Sequence, residues 1–159
     1  MPTQNQEGGT DVKATQQLKD EHEGVKIMLS ILEKVCQQLE AVGSLNREHV
    51  EGILEFLKVF VDKCHHGKEE DLLFPALIAA GVPKEGPIAV MLHEHEMGRQ
   101  YVKAMSGAYA TYIAGDKSAS KDIRQHAHGY ISLMKDHIEK ENNVLFVMAD
   151  SRLSEKKQD

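Results

Sequence analysis

The chain contains no tryptophan, and aromatic residues make up only 5% of it. It has no stretch of about 18 apolar residues, so no membrane-spanning segment is expected. It also lacks any alternating apolar–polar run of strand length, which argues against a sheet. Cysteine is nearly absent: Cys36 and Cys64 are too few for a disulfide scaffold and have no CxxC spacing, so both are expected as reduced, buried thiols. Positive charge is short as well. The net charge of −6 excludes the clustered Lys and Arg that nucleic-acid phosphates demand. The start of the chain is polar and Gly/Gln/Thr-rich with no apolar signal core, which predicts a cytoplasmic protein with a disordered tail over residues 1–14. Residues 151–159 read as a charged C-terminal tail, leaving 15–150 as one folded domain.

What the chain has in quantity is Ala, Leu, Glu, Lys, Met and Gln, a composition that favours helix. Apolar residues recur at helical spacing in four stretches. The first, about 15–41, carries Leu18, Val25, Met28, Leu29, Leu32 and Val35. After a Gly43-Ser44 turn, Asn46 is placed to cap a second stretch over about 47–80. Its stripe is Ile53, Leu54, Leu57, Phe60, Val61, Leu72 and Leu73, and Pro75 is expected to end or kink it. A Gly/Pro-rich loop over 81–87 leads to a third stretch at about 88–114 and, past Gly115-Asp116, to a fourth at about 118–149. Four helices with short connections predict an all-α, antiparallel up-down four-helix bundle.

The chain also holds nine histidines, a high count for 159 residues, and they fall into a repeat. Leu18 and Met91 are each followed, after two spacers, by Glu21-His22-Glu23 and Glu94-His95-Glu96. His65-x-x-x-Glu69 and His137-x-x-x-Glu141 are each followed, after three more residues, by Leu-Phe. His22 and His65 stand 43 apart and His95 and His137 stand 42 apart, which predicts two hairpins of one design related by a pseudo-twofold.

A His and a Glu four apart share one helix face. A lone HxxxE pair is more commonly a surface ion pair, but two at matching separations beside apolar stripes ask for a compensating cation, because buried carboxylates are costly. Four imidazoles and two carboxylates suit two borderline transition-metal ions rather than calcium or magnesium, which prefer oxygen ligands. The candidate metal ligands are His22, His65, Glu69, His95, His137 and Glu141. His66 and Glu70 form a second HxxxE pair about 100° around the same helix. The match to the fourth helix selects His65 and Glu69; helix phase alone leaves the neighbouring pair open.

This ordered set, running from about Lys13 to Asp150, resembles the hemerythrin-like, or HHE cation-binding, domain. The resemblance implies a left-turning four-helix bundle around two non-haem iron ions, oxo- or hydroxo-bridged. It assigns His22 and His65 to one iron and His95 and His137 to the other, with Glu69 and Glu141 bridging. One departure stands out. Oxygen-carrying members place a fifth histidine one turn before the third-helix ligand, where this chain has Met91, matched by Leu18 in the first helix. The second metal is then expected to have an open position, or to take water or a tyrosine. His93 points away from His95 and reads as a surface residue. Tyr130 and His126 share a face with His137, and two readings stand: an access path beside the ligands, or a core tyrosine and an exposed histidine.

The implied function is binding of oxygen, nitric oxide or peroxide in sensing or stress protection, with an unidentified redox partner. Two alternatives are a peroxide- or nitric-oxide-reducing enzyme and an iron reservoir or donor. Ferritin-like bundles are a structural rival, but they use Glu-x-x-His rather than His-x-x-x-Glu.

Overall fold

The computed structural model describes residues 14–153, so the expected disordered and charged tails lie largely outside the described residues. Helix α1 is Ala14–Val42. Helix α2 runs over 47–79 as consecutive segments, Arg47–Phe56, Leu57–His66, Glu69–Leu73 and Phe74–Ala79. Helix α3 is Ala89–Ile113. Helix α4 covers 120–152, built from Ser120–Lys140, Glu141–Leu145 and Phe146–Arg152. The result is an all-helical bundle with no strand among the described residues, and none of its helices is long and apolar enough to cross a membrane.

The caps follow the sequence. Asn46 accepts a hydrogen bond from the His49 backbone N–H at 3.1 Å, relieving one orphan donor at the start of α2. Asp116 does the same for Ser118 ahead of α4. Helix α2 ends where Gly81 adopts φ +97° and the Val82 N–H reaches back to the Leu77 carbonyl at 2.9 Å. That reversal suits glycine because no Cβ opposes the left-handed conformation.

Pro75 neither ends nor breaks α2. It sits at the start of Phe74–Ala79, directly after a π-helical turn over Glu69–Leu73. The wider turn re-registers the backbone where proline has no N–H to give. The same π geometry occurs at Leu57–His66 and at Glu141–Leu145, so His65 and Glu69 of α2 and Glu141 of α4 lie on locally widened backbone, while His137 lies in the α-helical part of α4.

Two apolar clusters fill the bundle. The larger is built from residues such as Leu29, Leu32, Leu57, Val61, Met105, Tyr130 and Ile138. The smaller gathers Leu18, Leu73, Phe74, Leu77, Met91, Leu145 and Phe146. Every helix crosses from one to the other through a buried polar slab: His22 lies between Leu18 and Val25, His95 between Met91 and Val102. Leu72, expected in the core stripe, is instead 70% exposed, because Leu73 takes the inward place at the end of the π turn. Cys36 is buried as expected, but Cys64 is exposed, one residue off the inward face that His65 occupies.

Candidate metal centre

The polar slab contains His22, His65, His66, Glu69, His95, His137 and Glu141, each no more than 3% exposed. All six residues selected from the sequence are therefore brought together in the interior. Their potential ligand atoms form two groups, each with its atoms within 4.8 Å of one another: His22, His65, Glu69 and Glu141, and His66, Glu69, His95 and His137.

The outer edge of four imidazoles is fixed by a hydrogen bond from Nδ1. His65 donates to Glu21 at 2.7 Å and His137 to Glu94 at 2.8 Å. His95 donates to Glu70 at 2.7 Å, and His22 Nδ1 lies 2.8 Å from Asn142 Oδ1. Nδ1 is thereby committed outward and Nε2 is turned to the interior, the orientation that outer partners impose on metal-ligating histidines. Glu21 and Glu94 are in turn held by Lys68 and Lys140, each three residues past the histidine it supports. The Leu-Phe pairs contribute too: Phe146 stacks on His22 at 5.4 Å and Phe74 on His95 at 5.9 Å between ring centroids. These rings close the slab on the side of the smaller cluster.

Inside, the two carboxylates reach both groups. Glu69 Oε2 is 3.3 Å from His65 Nε2 while its Oε1 is 3.0 Å from His95 Nε2. Glu141 Oε1 is 3.0 Å from His22 Nε2 and 3.3 Å from His137 Nε2. Most of these approaches lack hydrogen-bond geometry. Nε2 of His65, His95 and His137, both oxygens of Glu69 and Oε2 of Glu141 are buried with no hydrogen-bond partner. Such atoms in a closed interior are costly unless something else satisfies them. A pair of transition-metal cations fits this donor set in type, in number and in direction.

The electrostatics of the polypeptide alone show the same strain. Burial and the neighbouring Glu141 charge push Glu69 well above the usual carboxylate range. Burial presses on Glu141 as well, but His137, His22 and His95 more than offset it and hold that carboxyl well below its ordinary value. Burial would depress His95 and His137; the carboxylates overcome it and lift them to about 9 and about 10. Protonation of Glu69, His95 and His137 is thus favoured where a cation would otherwise balance the buried carboxylates.

Residues of both phases of α2 turn toward the slab. His65 and Glu69 face inward as the match to the fourth helix selects, and Glu70 faces outward to His95 and Arg99. Yet His66 also turns inward, stacked on His95 with ring centroids 3.8 Å apart. Neighbouring residues can both reach the slab because it holds two groups side by side, and the backbone there is π-helical. An imidazole from α2 thus lies beside His95 and His137, in the group where an open position, water or a tyrosine was expected. The signal for it was the His65-His66 doublet itself. Glu21, Glu94, Lys68 and Lys140 were likewise visible inside the repeated motifs, as flanking residues rather than as supports. His93 is exposed. Tyr130 is buried in the larger cluster, while His126 is only partly buried.

Comparison with known proteins agrees with this geometry. Uncharacterized proteins of Mycobacterium bovis and Mycobacterium tuberculosis are 25% identical to the chain over 145 residues, covering 91% of it. The chain spans only 56% of the length of these relatives. No solved structure matches. The family model described as the hemerythrin HHE cation-binding domain matches residues 13–149, which contain every residue of the slab. The chain belongs to the hemerythrin HHE cation-binding domain family.

Proposed function

We propose that the chain holds two non-haem iron ions in this slab and binds oxygen, nitric oxide or peroxide there, in sensing or in protection against oxidative or nitrosative stress. One observation carries the reading: Glu69 directs one carboxylate oxygen toward His65 and the other toward His95, so a single side chain spans both ligand groups. In this reading His22 and His65 hold one ion, His66, His95 and His137 hold the other, and Glu69 and Glu141 bridge them. When bound, the iron pair supplies redox-active positions at which a small ligand can coordinate.

The protein's part is orientation and exclusion. The Nδ1 hydrogen bonds hold each Nε2 inward before any ion arrives. The apolar clusters on either side keep water from competing for the carboxylates. The donors are uneven, with three imidazoles at one position and two at the other, so an external ligand is expected at the His22–His65 ion.

The test is metal content and absorption of the anaerobically purified protein, before and after oxygen, azide and nitric oxide. Two irons per chain, with bands that change on ligand addition, are the expected result. A fully helical protein that takes up no iron overturns the reading. Zinc in place of iron retains the site and removes the redox role, while rapid loss of iron to a chelator marks a reservoir.

A further inference from the structure

A cavity of about 430 Å³ opens between α2 and α3 and reaches inward to His66. Its size is the first clue. A water molecule's share of liquid is about 30 Å³, so oxygen, nitric oxide or peroxide would leave nearly all of this space unfilled. The volume lies instead in the range of pockets for small organic ligands, roughly 300–1,000 Å³.

The walls are mostly apolar, made by Leu57, Val61, Val102 and Tyr130, with Gly98 between them. A Cβ added at Gly98 would stand 3.6 Å from Tyr130 Cε1, an ordinary contact, so glycine there leaves room rather than relieving a clash. Two polar groups of the lining lack a hydrogen bond among the described residues: His66 at the inner end, 3% exposed, with Nδ1 3.6 Å from Asp62 Oδ1, and further along α3 the buried Oγ of Ser106. Around the opening stand the exposed Lys58, Lys63 and Lys103, none of them in an ion pair among the described residues, against Glu55. The other two charged residues of the lining, Asp62 and Arg99, neutralise each other at 2.8 Å. A local excess of positive charge on a chain of net charge −6 draws anions to this one mouth.

We propose that this cavity binds a small organic acid, its apolar body between α2 and α3, its carboxylate at Lys58, Lys63 and Lys103, and its inner end against His66. Binding there places an organic molecule in contact with a residue of the metal centre. Its effect on iron rests on the reading given under Proposed function; its binding does not.

Octanoate is the probe, with octanol and octylammonium as charge controls, followed by backbone amide shifts on the full metal-free chain and repeated on the iron-loaded protein. Octanoate is expected to shift Gly98, Val102 and Ser106 and to bind at least tenfold more tightly than octylammonium. Gly98→Leu, which fills the cavity, is expected to abolish those shifts. The paired surface change Lys58→Glu with Lys103→Glu, which leaves the interior intact, is expected to weaken octanoate about tenfold. In the iron-loaded protein the visible bands are expected to move with octanoate occupancy. Equal affinity for octanoate and octylammonium overturns the assignment of an acid, and no shift at the three residues up to millimolar octanoate overturns the site. Octanoate shifts in a protein that takes up no iron support the cavity while sinking the di-iron reading. Two bound irons without octanoate shifts do the reverse.

Discussion

The two ligand groups share Glu69, Glu141 reaches from one to His137 of the other, and much of their support is common, yet they are not alike. Behind His65 and His137 the arrangement is the same: a glutamate accepts from Nδ1, and a lysine holds that glutamate. Behind the other pair it differs. His22 is backed by the neutral amide of Asn142, whereas His95 is backed by Glu70, a charged partner that Arg99 anchors at 2.6 Å. His66 has no counterpart, since the matching place in α4 is Ile138. What the groups share is what any cation among imidazoles needs: inward Nε2 atoms, bridging carboxylates and a dry surround. Where they differ, one position gains an imidazole and a more basic one, and the other stays poorer in donors.

The largest expected effect comes from breaking what is shared. On the proposed two-metal reading, Glu69→Ala or Glu141→Ala is expected to remove both metals, since each carboxylate reaches histidines of both groups. Elemental analysis should fall from two metals per chain toward none. The metal-dependent gain in unfolding free energy, about 4 kcal/mol at a metal concentration a thousandfold above Kd, should vanish with it. Next is His66→Ile, which gives α2 the residue that α4 carries. It is expected to take the stoichiometry from two to one and leave the His22–His65 position filled, with cobalt titration followed by visible absorption as the readout. Loss of both metals, or of neither, would show that the groups do not differ as their side chains suggest.

The fold was open to reading because its determinants are local. Helical periodicity, the Asn46 cap and the Gly/Pro loop each act over a few residues, and the structure follows them. Six of the seven slab residues were also legible, because the repeat sets inward positions apart from outward ones. His66 was not, since helix phase assumes a uniform 100° step, and α2 departs from it with π geometry where the ligands lie. Pro75 and Leu72 were misjudged for the same reason: a change of backbone register cannot be read from a side-chain pattern that assumes none. Cys64 shows the remaining limit. A free thiol is commonly buried, but a residue beside an inward-facing ligand is turned toward solvent.

A smaller effect is expected from exchanging the outer partners. A carboxylate behind an imidazole raises its basicity, so Asn142→Glu should tighten the His22 position and Glu70→Asn should weaken the His95 position. Each should act by about 10–100-fold in affinity and largely on one metal. Competition with a chelator of known affinity separates the two. If both substitutions move both metals equally, coupling through the shared carboxylates outweighs the local partner.

The smallest expected effect needs no metal. The hydrogen bond from His65 holds the Glu21 carboxyl down at about 2, and the bond from His137 lowers Glu94. A carboxyl depressed in the folded state contributes stability that is present above its unfolded value, near 4.5, and is lost as pH falls toward the folded one. Glu21→Gln keeps an acceptor for His65 but removes the charge. The metal-free variant should therefore be less stable than the parent by about 1–2 kcal/mol at pH 6, with the difference closing as the pH falls from about 4.5 toward 2. Glu94→Gln should change stability in the same direction, its deficit also shrinking as the pH falls below about 4.5. Denaturant unfolding across that range checks both, and a deficit that persists unchanged at pH 2 would assign the loss to packing rather than to the charge on the glutamate.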